Sequence, residues 1–231
     1  KLQRDAGVQV FTDGALRRTG WVSGPAGAAE LQARSEGPAP GDALRVANDH
    51  GSAAGLVAAP GREPRRRLTE GEGGFLVRHA PGPFKVAIPG PNVQRRLHAP
   101  GAPDSACPTQ RALLDEIVGV CGREVVALVE EGAAYIQLDE HVDVYLRLVA
   151  EAMLQGLAWE PEVADAVAAD NAVLEPARLR GATTAVHVCR HGHEGKTSPA
   201  GGYGAVAELL FGLSDADRFL LEVEPDDPHA F

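Results

Sequence analysis

The segment at residues 135–140, Tyr-Ile-Gln-Leu-Asp-Glu, is a short apolar run that ends in two carboxylic acids. Bounded apolar runs of this length are typical of buried β-strands. Polar groups at the carboxyl end of such a strand are common where parallel strands form an active site. Four other runs are also predicted to be strands: Val8–Phe11, Phe84–Ile88, Thr183–Val188 and Phe219–Glu222.

Stretches with helical spacing lie between these strands. Arg111–Glu131 places its apolar residues on one helical face, and Gly132 follows as a stop signal. Helices are also predicted over Val142–Leu157, Glu160–Leu174 and Ala205–Leu213. The alternation predicts an α/β fold with parallel strands. Periodicity does not choose between a barrel and an open sheet, although no Gly-x-Gly-x-x-Gly follows a strand, which disfavours a dinucleotide-binding sheet.

The chain is predicted to form one domain over residues 1–231. It is 44% hydrophobic, which is enough for one sizeable core. Residues 23–74 are rich in Gly, Ala, Pro and Arg, and are interpreted as a loop-rich excursion in which Ala43–Val46 and Gly55–Val57 are possible short strands. Because the chain opens with what reads as a helix end, we expect a further segment before Lys1.

The charge balance restricts the partners of the chain. Its net charge is −10, which makes nucleic acid and anionic membrane surfaces poor partners. The basic run Arg65–Arg67 is interpreted as a solvated loop. No apolar stretch reaches the roughly 18 residues that span a bilayer, and no signal peptide is visible. Three cysteines without an evident pairing favour a reduced, cytoplasmic protein.

The triplet His187-Val188-Cys189 is the first candidate site. Side chains two residues apart on a strand point the same way, so an imidazole and a thiolate could reach one metal ion. Zinc accepts that mixture of ligands in tetrahedral geometry. The alternative is ordinary packing, which is more common for an isolated His-x-Cys. His191 and His193 follow as spare ligands or exposed loop residues.

Carboxylates at two other strand ends are further candidates. Asp139 and Glu140 are either active-site acids or a helix N-cap with a first-turn acid. Glu222 ends the last apolar run, where a charge needs a partner or water, and a salt bridge is the simpler interpretation.

Taken in order, several motifs resemble the cobalamin-independent methionine synthase family, specifically its shorter bacterial members. The motifs are Thr12-Asp13-Gly14 with Arg17-Arg18, residues 85–89 (Lys-Val-Ala-Ile-Pro), residues 135–140, His187-Val188-Cys189-Arg190, Gly201-Gly202-Tyr203 with Val206-Ala207-Glu208, and residues 219–222. Relatives of that family include zinc enzymes that alkylate the thiol of coenzyme M, such as epoxyalkane:coenzyme M transferase. The resemblance spans most of the chain and is loose over Ser23–Gly74 and Glu160–Arg180.

The resemblance implies a (β/α)8 TIM-type barrel and a zinc ion held by His, Cys, Glu and a later Cys. The first three ligands correspond to His187, Cys189 and Glu222. Asp139 corresponds to the acid that contacts the amino group of homocysteine, and Glu140 and Asp13 are expected beside it as substrate-binding residues. The resemblance assigns no catalytic residue. A folate methyl donor would need basic residues, for which Arg17, Arg18 and Lys85 are candidates by position.

The chain also departs from the family pattern. The last cysteine ligand would lie beyond Phe231, and the first and last barrel strands are missing from the five predicted here. Ala15 stands where many relatives have Glu, Gly90 where Ser is common, and His191 where Gly is usual.

The expected function is zinc-dependent methyl or alkyl transfer to a thiol. The alternative is a divergent or truncated non-catalytic relative, and a metal-dependent hydrolase ranks third because it needs more strand-end histidines.

Overall fold

The computed structural model describes residues 2–16, 18, 67–69, 71–97, 109–190 and 202–223. Its strands are β1 (Lys85–Pro89), β2 (Tyr135–His141), β3 (Thr183–Cys189) and β4 (Arg218–Leu221). Its α-helices are α1 (Leu2–Asp5), α2 (Glu72–His79), α3 (Pro91–Leu97), α4 (Gln110–Glu130), α5 (Val142–Leu154), α6 (Glu160–Arg178) and α7 (Ala207–Leu213). A 3-10 helix, Tyr203–Ala205, precedes α7.

The four strands form one sheet in the order β1-β2-β3-β4, and every neighbouring pair is parallel. Helices connect each strand to the next, as parallel pairing requires. The predicted α/β class with parallel strands is therefore confirmed. In the described part of the chain β1 and β4 stand at the two ends of the array, so closure into a barrel stays a prediction.

The two faces of the sheet differ in chemistry. One face carries apolar side chains that are at most 2% exposed, and α4, α5 and α6 lie over it; these residues are Val86, Ile88, Ile136, Leu138, Val186 and Val188. Burying each such side chain contributes about 1.5–3 kcal/mol. The opposite face is largely polar, because the intervening residues include Lys85, Gln137, Asp139, His187 and Cys189. The apolar face holds the sheet together and the polar face presents the candidate site.

Helix α4 follows the sequence prediction closely. The side chain of Thr109 accepts a hydrogen bond from Ala112 N and caps the first turn. Gly132 has φ 101°, a left-handed conformation that suits glycine after a helix. Leu113, Ile117 and Leu128 are buried along one face, as their spacing predicts.

The prediction of a strand over Val8–Phe11 is wrong. Only Phe11 pairs with the sheet, through a single parallel bridge to Phe84, and Val8 is 39% exposed. The turn at Gly14, which has φ 68°, follows too soon after Phe11 for a ladder to extend. Helix α2 begins at Glu72, inside the stretch of residues 23–74 that is predicted to be a loop-rich excursion. Ala43–Val46 and Gly55–Val57 lie outside the described residues.

None of the helices in the described part of the chain combines the length and the apolar character that crossing a lipid bilayer requires.

Candidate metal and substrate site

His187 and Asp139 are register partners on neighbouring strands β3 and β2. The Nδ1 atom of His187 lies 3.2 Å from Asp139 Oδ1, and both side chains are partly exposed. This hydrogen bond, opposed by burial and reinforced by the charge of Asp139, raises the pKa of His187. The carboxylate therefore fixes the orientation of the imidazole ring and its Nδ1 atom.

Glu222 lies on the other side of the same ring. Its Oε1 atom is 3.7 Å from His187 Nε2. Its Oε2 atom accepts a hydrogen bond of 2.9 Å from the backbone N–H of Arg190. The predicted grouping of Asp139, His187 and Glu222 is thus present, with the imidazole between two carboxylates.

Cys189 occupies the same face of β3 as His187, two residues further along the strand, as the sequence predicts. Its Sγ atom lies 3.3 Å from the backbone carbonyl oxygen of Glu140, to which the thiol donates. Burial, followed by the nearby charges of Glu222 and Asp139, raises the pKa of Cys189 to about 12. The thiol is therefore protonated at neutral pH unless a cation joins the cluster.

The donor set suits zinc in type and in part of its geometry. In metal sites a ligating histidine commonly bonds a carboxylate through its second nitrogen, which is the arrangement of His187 and Asp139. Two ligands at about 2.0–2.1 Å from a tetrahedral zinc are roughly 3.4 Å apart, near the 3.7 Å between His187 Nε2 and Glu222 Oε1. Among the described residues, however, no three His, Cys, Asp or Glu side chains are already placed to share one ion.

A polar chain extends the site across the sheet towards β1. Lys85 Nζ donates to Gln137 Oε1 at 2.7 Å, and Gln137 Nε2 donates to Asp139 Oδ1 at 2.7 Å. Sequence reasoning did not assign a role to Gln137. Its position two residues before Asp139 was the available signal, because residues at that spacing share a face of a strand.

Glu140 is not brought to the polar face. It is fully buried on the helix-covered side, where its two carboxylate oxygens accept from Asn92 N and Val93 N at the start of α3. It also shares a hydrogen bond with Asp170, which in turn accepts from Tyr145 and Asn92. Glu140 therefore anchors α3 to the end of β2, and its placement does not fit the expected contact with substrate.

The other expected residues lie elsewhere or outside the described part. Asp13 Oδ1 accepts from Ala15 N within a turn, and the neighbouring Phe11 is level with the start of β1 rather than its carboxyl end. Arg18 forms a buried, two-pronged ion pair with Glu72 and also donates to Ala87 O at 2.6 Å. Arg17, Cys107, His191 and His193 lie outside the described residues.

The remaining described cysteine, Cys121, is a core residue. It is fully buried in α4 and accepts a hydrogen bond from Gln94 Nε2 at 3.0 Å, and burial raises its pKa to about 12. Neither Cys121 nor Cys189 is in a disulfide. Cys121 therefore offers a second thiol, remote from the polar face, with which the behaviour of Cys189 can be compared.

Comparison with known proteins finds a similarity that extends along nearly the whole chain. The chain is 24% identical over 233 residues to "Uncharacterized protein YxjH" of Bacillus subtilis (strain 168), a match that covers 97% of this chain and 59% of that protein. The chain thus spans about 59% of the length of this curated relative. No model of a known protein family matches the chain. The relative's name states no activity, so a functional assignment depends on the residues of the site.

Proposed function

We propose that the chain carries three ligands of the zinc site of an enzyme that transfers a methyl or alkyl group to a thiol such as homocysteine. The observation that carries this proposal is the position of His187, whose Nδ1 lies 3.2 Å from Asp139 and whose Nε2 lies 3.7 Å from Glu222. The order of motifs that resembles the cobalamin-independent methionine synthases supports the same assignment.

His187, Cys189 and Glu222 would hold the metal. With the Nδ1 proton of His187 donated to Asp139, the Nε2 lone pair would be available to a metal on the side that faces Glu222. When bound, zinc lowers the pKa of a coordinated substrate thiol, so that the sulfur is a nucleophile at neutral pH. Glu222 and a deprotonated Cys189 would together offset the two positive charges.

Asp139 is the residue suited to the amino group of the substrate. A carboxylate has about four lone-pair sites. Gln137 Nε2 and His187 Nδ1 both occupy Asp139 Oδ1, so the carboxylate retains capacity for an ammonium group. A charge-assisted hydrogen bond there would hold an amino-acid thiol beside the metal ligands.

The methyl donor is unassigned by the described residues. Arg18 is committed to Glu72, and Lys85 donates to Gln137. Arg17, the remaining basic candidate for a methyl-folate, lies outside the residues that the structure describes.

The alternative, a non-catalytic relative, is favoured by one observation. The thiol of Cys189 donates to Glu140 O rather than standing with His187 and Glu222 as a prepared ligand. Metal binding would require this side chain to rotate and lose its proton.

Metal analysis of Cys189→Ala and of Cys121→Ala distinguishes a zinc-dependent transferase from a non-catalytic relative. Both substitutions remove one thiol, but only Cys189 lies on the face that carries His187. We expect the parent chain and Cys121→Ala to retain one zinc per chain after dialysis against trace zinc, and Cys189→Ala to lose it. A homocysteine methylation assay on the same preparations tests turnover. Equal zinc contents in all three proteins, or none in any, would favour the non-catalytic relative.

A further inference from the structure

We propose that Tyr203 is a positioning residue whose hydroxyl group is inserted between β3 and β4 and sets where Glu222 stands relative to His187 and Cys189. The inference rests on the proposed function only in treating Glu222 as a metal ligand. The backbone arrangement it describes is independent of any metal.

The side chain of Tyr203 is fully buried. Its hydroxyl donates to Val188 O at 2.7 Å and accepts from Glu222 N at 3.1 Å. The hydroxyl also lies 3.3 Å from Glu222 O. One oxygen atom therefore joins the last residues of β3 to the residue that follows β4.

The hydroxyl lies where a backbone hydrogen bond between β3 and the residue after β4 would be expected. Thr183 N donates towards β2, to Ala134 O, so the alternate residues of β3, which include Val188, direct their backbone groups towards β4. Val188 is in register with Leu221. In a regular parallel ladder Val188 O would accept directly from the N–H of the next residue, Glu222. Here the hydroxyl of Tyr203 is inserted between those two groups.

The hydroxyl group of Tyr203 fixes the residue after β4 to the end of β3 at the candidate site. The hydroxyl keeps both backbone groups, Val188 O and Glu222 N, hydrogen-bonded. The backbone from which the carboxylate of Glu222 extends is therefore anchored beside Cys189.

Glu222 is held at a second point on the other side of Cys189. Its Oε2 atom accepts from Arg190 N at 2.9 Å, so Glu222 is tied to both sequence neighbours of Cys189, Val188 through Tyr203 and Arg190 directly. The guanidinium of Arg190 lies 5.6 Å from the centre of the Tyr203 ring, a cation–π contact that holds the ring in place.

Tyr203→Phe, with Tyr145→Phe as the matched control, tests the proposal. Each removes one buried phenol hydroxyl, but that of Tyr145 donates to Asp170 of α6 rather than to β3. Cobalt(II) serves as a visible probe of the zinc site. We expect Tyr203→Phe to weaken cobalt binding about tenfold, the lower end of the loss seen when supporting residues of metal sites are removed, and to change the visible spectrum. Tyr145→Phe should retain the parental spectrum and affinity within about twofold.

Amide hydrogen exchange of Glu222 provides the metal-free readout. We expect the exchange rate of the Glu222 amide to change at least tenfold in Tyr203→Phe. No such change is expected in Tyr145→Phe. If the parental chain takes up no cobalt, the proposed function fails, and the exchange result alone decides the role of Tyr203. Unchanged exchange, or cobalt affinity and spectrum identical to the parent, would overturn the positioning role.

Discussion

Gly90 lies so close to the side chain of Glu140 that a β-carbon on residue 90 would stand 2.6 Å from Glu140 Cγ. Both residues are buried at the carboxyl ends of β1 and β2, and Gly90 N donates to Asp139 O at 2.8 Å. Glycine is needed here for space rather than for backbone conformation. Glu140 fills the volume that a side chain at position 90 would otherwise take.

We therefore expect Gly90→Ala to destabilise the chain by about 1–3 kcal/mol, the usual cost of overpacking a core. Glu140 cannot move aside easily, because its carboxylate is bonded to the start of α3. Gly122→Ala in α4 is the matched control, since a β-carbon there meets nothing within 4 Å. That substitution should stabilise by about 0.5–1 kcal/mol through helix propensity. Urea denaturation measures both, and equal stability of Gly90→Ala and the parent would contradict the packing.

Asp170 should make the stability of the chain depend on pH. Burial, opposed by hydrogen bonds from Tyr145, Glu140 and Asn92 and by the charge of Arg95, raises its pKa to about 7. The folded protein thus binds a proton that the unfolded chain releases near pH 4. The resulting stabilisation is complete below about pH 4 and is lost as pH rises through about 7.

Removal of this carboxylic acid should make the free energy of unfolding less dependent on pH. We expect the free energy of unfolding of Asp170→Asn to fall less between pH 4 and 7 than that of the parent. Asp115→Asn is the control, because Asp115 is an exposed carboxylate on the surface of α4. Urea titrations at several pH values provide the comparison, and parallel profiles for parent and Asp170→Asn would exclude the assignment.

The sequence predicted the parts of this molecule that depend on local pattern. Tyr135–Leu138 and Thr183–Val188 are strands because their apolar runs are bounded by polar residues, and Gly132 ends α4 because glycine tolerates a positive φ. The grouping of His187 with Asp139 and Glu222 followed from the rule that parallel strands bring their carboxyl ends together.

Other features depend on contacts between residues distant in sequence. Glu140 was expected beside Asp139, yet alternation along a strand sends neighbouring side chains to opposite faces, and the space left by Gly90 receives it. Tyr203 carries no local signal for insertion between β3 and β4, because Val188 and Glu222 meet only in the folded chain. Phe11 was predicted in a strand that tertiary structure reduces to one bridge.

Asp139→Asn should lower the pKa of His187. The hydrogen bond that His187 donates to Asp139 is the first cause of the raised pKa, and an uncharged amide cannot stabilise the imidazolium ion as a carboxylate does. An NMR titration of the His187 ring signals in metal-free protein measures the change. Asp143→Asn is the control, since Asp143 pairs with His141 instead. A His187 titration unaffected by Asp139→Asn would show that the two side chains do not interact in solution.

Zinc and homocysteine should bind this chain interdependently. If His187, Cys189 and Glu222 supply three ligands, a substrate thiol can occupy the fourth position of a tetrahedral site. Each ligand then strengthens the binding of the other by the same factor, as thermodynamic linkage requires. We expect equilibrium dialysis to show homocysteine retained by the zinc-loaded chain and at least tenfold less retained without zinc.

Homoserine and Cys189→Ala are the controls for that measurement. Homoserine keeps the amino and carboxylate groups but replaces the thiol with a hydroxyl, which zinc holds less strongly than a thiolate because sulfur is the softer ligand. It should show little zinc-dependent retention, although any contact of its ammonium with Asp139 would persist.

Cys189→Ala should lose zinc and, with it, the retention of homocysteine, whereas Cys121→Ala should retain both, because Cys121 lies in the core of α4. Equal retention of homocysteine and homoserine by the zinc-loaded chain would mean that the thiol does not reach the metal, and the proposed transfer reaction would then lack its nucleophile.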